Sequence, residues 1–99
     1  MEIKNCTDLN DARSEIDKID EEIVKLLAAR GKYVRQAVKL SNSLGEVQAP
    51  VRVKAVVEHV RSAAMQNGLQ PAIAENTFRT VLEGFFNYEM NELSDRSSL

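Results

Sequence analysis

Between Leu9 and Leu40, steps of three and four connect Leu9, Ala12, Ile16, Ile19, Ile23, Leu26, Arg30, Tyr33, Ala37 and Leu40. Such a stripe is a heptad seam sustained over more than four repeats, and it commits the segment to a long amphipathic helix. Arg30 interrupts the seam. A guanidinium at a position reserved for apolar side chains must reach solvent or meet an anion, because burying it unpaired is very costly.

The seam also sets an assembly problem. At 1.5 Å per residue, a helix from Asp8 to Leu40 is about 50 Å long, whereas a compact domain of about 100 residues has a radius of gyration near 13 Å. A chain of 99 residues forms one domain, residues 1–99, with a core of modest size. An apolar seam outgrowing that domain is most readily covered by a second copy, which predicts an antiparallel or intertwined homodimer.

Composition narrows the partners. With 13 basic and 15 acidic residues and a net charge of -2, the chain lacks the positive field that draws proteins to nucleic acid. It has no uninterrupted apolar run long enough to span a bilayer, and MEIKNC lacks a signal-peptide core. Cys6 is the only cysteine, so neither an internal disulfide nor a cysteine metal cluster is available. These features predict a soluble, cytoplasmic protein.

Along the chain, Thr7 is expected to be the N-cap of the first helix, with Asp8 in its first turn at the positive end of the helix dipole. The helix should run to Leu40 or Ser41, with Gly31 as its one glycine. Ser41 to Ala49 has turn residues and no periodicity, so it reads as a loop. Pro50 suits the first position of a second helix, in which Val53, Val56, Val57, Val60, Ala63 and Ala64 recur at helical spacing until Asn67-Gly68 stops it. Pro71 opens a third helix with a broad apolar face from Ile73 to Leu93, followed by a frayed tail, SDRSSL. No segment alternates as a strand does, so the fold class is all-α, three helices with a long first one.

Three ionisable residues stand out. Arg13 and Arg30 are seventeen positions apart, so they leave one helix at similar angles but about 25 Å apart. One chain cannot bring them together, whereas an antiparallel dimer can bring Arg13 of one copy to Arg30 of the other. Paired guanidinium groups grip carboxylates through bidentate hydrogen bonds. The plainer reading leaves Arg13 solvated and pairs Arg30 with an acid of the second chain. Glu89 shares a stripe with Phe78, Leu82, Phe85 and Leu93 and therefore faces the expected core. Burial of a carboxyl group favours its protonated, hydrogen-bond-donating form; pairing with an arginine, or a slight turn of the face into solvent, is the alternative. Lys39, Arg35 and Arg52 read first as surface charges around the loop. His59 has no ligand or nucleophile at a telling spacing and is read as structural. Phosphate-binding glycine loops, zinc spacings and nucleophile-base arrangements are all missing from the sequence.

The run CTDLNDARSEIDKIDEEIVKLLAARGKYV, then APVRV, then NGL followed by a proline, resembles the all-α chorismate mutase family and within it the isochorismate-pyruvate lyase branch. The likeness covers residues 6 to about 93 and is strongest in the first helix. It implies an intertwined homodimer of three-helix chains whose sites bind a dicarboxylate between them, with no cofactor or metal. It also implies roles: Arg13 reaches substrate from the other subunit, Arg30 binds a substrate carboxylate, and Glu89 hydrogen-bonds the breaking ether oxygen. Asn42 and Arg52 are the further substrate-binding candidates. Both reactions of the family, chorismate to prephenate and isochorismate to salicylate and pyruvate, are pericyclic. Such a site works by holding the reactive conformer and stabilising charge on the ether oxygen. A glutamate donates there only when protonated, which predicts activity that falls as pH rises.

Two positions depart from the pattern. The lysine that the family places at the end of the first helix falls on Ser41, and the acid usual before Arg52 is Val51. Lys39 lies two residues earlier, about 200° around a regular helix, so it substitutes only if the helix end unwinds. Ser41 and Lys39 are accordingly the two candidates for this catalytic place. The competing readings are a noncatalytic or altered-substrate dimer serving ligand binding or protein association, and a plain helical interaction module.

Overall fold

The computed structural model describes residues 1–41 and 49–97, with side chains described as far as Asn91. It contains three helices, α1 (Leu9–Leu40), α2 (Pro50–Gln66) and α3 (Pro71–Ser97), and no strand among the described residues. The chain forms two compact units, Met1–Arg35 and Gln36–Leu99.

The first unit is most of α1 and the arm that precedes it. The cap differs from the expected one by a residue: α1 begins at Leu9 and Asp8, not Thr7, closes it. The Asp11 amide donates to Asp8 Oδ1 at 2.8 Å, and the Ala12 amide makes the first helical bond to Asp8 O at 3.2 Å. A carboxylate satisfies an orphan amide and meets the helix dipole together, which a threonine hydroxyl does not. Asp11 in turn holds the arm. Its Oδ2 accepts the Thr7 amide at 3.2 Å and its Oδ1 accepts Lys4 Nζ at 2.6 Å. The Lys4 hydrogen bond, helped by the Thr7 amide, keeps the Asp11 carboxyl below its ordinary range, and the same bond raises Lys4. No residue of α1 is buried. Along the seam Ile23 is 48% and Leu26 68% exposed.

The second unit contains the end of α1 and a helical hairpin of α2 and α3. Pro50 sits in the first turn of α2, where its missing amide costs nothing. At the other end the Leu69 amide donates to Ala64 O at 2.8 Å and the Gly68 amide to Met65 O at 3.4 Å, the paired bonds of a Schellman turn. Gly68 has φ +73, a left-handed conformation that L side chains rarely adopt. Four residues then suffice to reverse the chain, and α3 starts at Pro71 as expected. It runs further than the periodicity indicates, since Ser94 to Ser97 continue the helix.

The hairpin core is Val56, Val60 and Ala64 against Ala74 and Leu82, with Val53 and Phe78 packed on it. Small and β-branched side chains at these positions allow the two helix backbones to approach closely. At its edge Glu75 Oε1 accepts Arg61 Nη1 at 2.8 Å and Oε2 accepts Arg79 Nε at 2.9 Å. The Arg79 hydrogen bond and then that of Arg61 hold the Glu75 carboxyl below its usual value. Ile73, Phe86 and Met90, expected on the apolar face, are exposed; from α3 the hairpin core takes Ala74 and Leu82, with Phe78 packed on it.

Candidate functional site

Helix geometry disposes the candidate residues. Arg13 stands exposed in the acidic half of α1, and Arg30 is half-buried within the basic half. Their separation of about 25 Å along a continuous helix confirms that one α1 does not unite them. Lys39 is exposed in the last turn of α1, where a cation complements the negative end of the dipole. Ser41 is half-buried; its amide donates to Ala37 O at 3.0 Å and its hydroxyl to Val38 O at 3.1 Å. Its side chain therefore terminates the helix, using the carbonyls left open there. Asn42 and the rest of the loop as far as Gln48 lie outside the described residues. Arg52 is exposed in the first turn of α2.

Glu89 is the one charged side chain buried among the described residues, at 6% exposure. It follows Leu82 by two helical turns and shares that inward face of α3, which is why the stripe reading located it. A buried carboxyl requires satisfaction, and among the described residues no buried side-chain polar atom lacks a hydrogen-bond partner.

The hairpin cavities do not coincide with these residues. One of about 570 Å³ is lined by Pro50, Val53, Lys54, Val57, Glu75 and Arg79 among others. A second, of about 430 Å³, lies near the turn and is lined by His59, Val60, Phe78 and neighbouring side chains. Neither lining includes any candidate residue. The clamp of Arg61, Glu75 and Arg79 escaped the sequence reading. The Glu75 to Arg79 spacing of four is a helical pairing signal, but Arg61 reaches Glu75 only because the hairpin folds. Among the described residues no group of three His, Cys, Asp or Glu is arranged to hold a metal ion, and no helix is long and apolar enough to cross a membrane.

A profile of the family described as chorismate mutase type II matches residues 12–90, a span that takes in Arg13, Arg30 and Glu89. The chain belongs to the chorismate mutase type II family. Its similarity to individual members is consistent with this. It is 34% identical over 82 residues to the isochorismate pyruvate lyase of Pseudomonas aeruginosa, covering 83% of this chain and 81% of that protein. To the chorismate mutase of Methanocaldococcus jannaschii it is 28% identical over 76 residues, covering 76% of this chain and 77% of the other. The T-protein of Haemophilus influenzae matches 72% of this chain at 35% identity, over only 19% of its own length. The three helices, with no strand among the described residues, agree with the all-α fold expected of the family, and the matched span enters each of them.

Proposed function

We propose that the chain is an enzyme that converts isochorismate to salicylate and pyruvate, with chorismate rearrangement to prephenate as the related activity. The observation that carries this reading is the family match over residues 12–90, and an isochorismate pyruvate lyase is matched over 83% of this chain. Burial of Glu89 within that span supports its role as the group facing the ether oxygen.

The working unit in this reading is a homodimer in which residues 1–99 of each chain act as one domain. Two observations support it. No residue of α1 is buried, and Leu9, Ile16, Ile23, Leu26, Tyr33 and Leu40 of the seam are exposed. The charges of α1 are also segregated. From Asp8 to Glu22 seven acids face only Arg13 and Lys18, whereas from Ile23 to Leu40 there are Lys25, Arg30, Lys32, Arg35 and Lys39 and no acid. Two copies running antiparallel set acidic half against basic half; a parallel pair sets like against like. With the seams in register, Ile19 opposite Arg30, the antiparallel arrangement leaves Arg13 of one chain about 9 Å along the axis from Arg30 of the other, a gap that two long side chains and a ligand span.

Arg13 and Arg30 then hold the two carboxylates, Arg52 and Asn42 add contacts at the loop, and Glu89 donates to the ether oxygen. Holding the compact conformer removes entropy from the barrier, and fixed donors stabilise the charge that develops as the C–O bond opens. The lone cysteine and the absence of a membrane-spanning helix among the described residues suit work in the cytoplasm. The second reading, a binding or association role on the same fold, draws on Ser41. Its hydroxyl is turned to Val38 O and supplies no cation.

Incubation of the purified protein with isochorismate and, separately, chorismate separates the two. Salicylate or prephenate formed well above the uncatalysed rate supports the enzyme; background rates with both acids remove it. A weak activity should rise by about two orders of magnitude in Ser41→Lys, the size of effect usual for one preorganised donor.

A further inference from the structure

Residues 1–11 lie before the family match, yet the arm they form is held in place. Lys4 bonds Asp11 Oδ1 at 2.6 Å and approaches Glu15 at 4.0 Å. Between arm and helix runs a groove of about 410 Å³ whose apolar floor is Ala12, Ile16 and Ile19, with Ile3, Met1 and Cys6 along the arm side. Ala12, Ile16 and Ile19 are also seam residues. The groove is therefore a widening of the seam, made by adding the arm to one side of α1.

Its rim selects an occupant. Glu2, Glu15 and Glu22 stand along it, and Lys4 and Lys18 are both engaged with acids of the same chain. That rim repels an anionic ligand and suits a cationic surface with an apolar stripe. The basic half of α1 is such a surface. When two copies of α1 run antiparallel about a point between Ile23 and Leu26, the seam spacing sets Ile16 opposite Tyr33 and Ala12 opposite Ala37. Lys32 and Lys39 then flank the stripe facing the acidic rim. Tyr33 is 71% exposed in the single chain, an amphipathic side chain of the kind that anchors interfaces.

We propose that the arm, residues 1–7, is part of the dimer interface: with Ile16 and Ile19 it forms a groove that receives the basic half of α1, around Tyr33, from a second copy of this chain. The inference rests on the dimer reading above. It gives the arm a second consequence. Because Asp11 lies two residues before Arg13, the Lys4 latch anchors the part of α1 that extends towards the partner's site.

Two measurements on the full-length chain test this. Ile3 is 81% exposed and outside the helices, so Ile3→Asp leaves the fold of the single chain intact, which circular dichroism verifies. Sedimentation equilibrium should show its dimer Kd raised at least about tenfold over wild type, the effect of about 1.4 kcal/mol; a change under about twofold overturns the arm's role. In the wild type, Cys6 is the only thiol and is exposed in the single chain. In the dimer its reaction with a disulfide reagent should be at least about tenfold slower than in a peptide of residues 1–8. Equal rates in a protein that sediments as a dimer overturn the arm's role and leave the dimer standing. A wild-type chain that sediments as a monomer overturns the dimer reading, and this inference with it.

Discussion

Glu89 holds a carboxyl group where the proposed chemistry asks for a donor. A carboxylate only accepts hydrogen bonds, a carboxylic acid donates one, and a carboxamide donates at every pH. In the proposed enzyme, Glu89→Gln therefore keeps a donor and most of kcat/KM, whereas Glu89→Ala loses about two orders of magnitude, the size of effect usual for one preorganised donor. Steady-state rates of the two variants decide it, and equal losses in both would contradict the donor role. Arg30 presents the complementary case. As a seam residue it interrupts apolar packing, and in α1 it is half-buried. The stripe reading found both residues for one reason, since an ionisable group on an apolar face stands out against its neighbours.

The helices owe their limits to local chemistry. Asp8, Pro50, Gly68 and Pro71 each act within a few residues of a boundary, so most boundaries were visible in the sequence. The start of α1 shows the limit of such reading. Thr7 and Asp8 are both good caps, and the choice between them fell to Asp11, whose carboxylate ties back to Thr7 and Lys4 while its amide bonds Asp8. Asp8→Ala should destabilise the protein by about 1 kcal/mol, whereas Asp8→Asn, which keeps the accepting oxygen, should cost only a few tenths. Urea titration followed by circular dichroism measures both. Equal losses in the two variants would mean that charge rather than the hydrogen bond supplies the cap.

For the whole molecule, two carboxylates couple stability to pH. Asp11 and Glu75 are both held below their ordinary values of 3.8 and 4.5. A carboxyl group depressed in the folded state stabilises it above the unfolded value, and that contribution is lost as pH falls through the folded value. The urea midpoint should therefore drop as pH falls through and below the 3.8 to 4.5 range, and the drop should be smaller in Asp11→Asn and Glu75→Gln. Lys4, raised above 10.5 by the same Asp11 bond, contributes below 10.5 and loses its contribution only in stronger alkali. The arm latch therefore holds between those limits, across neutral pH.

Hydrophobic spacing and terminators act within a turn or two, so the sequence by itself determined three helices, their order, the α2 stop and the inward face of α3. The same spacing singled out Arg30 and Glu89, because periodicity places each side chain on a face whatever its chemistry. Only the tertiary structure decided that Arg61 joins Arg79 on Glu75, that the residues before Leu9 fold back on α1, and that Ser41 spends its hydroxyl on Val38. These depend on contacts between groups distant in sequence or on the choice among nearby hydrogen-bond acceptors. Neither leaves a period to read.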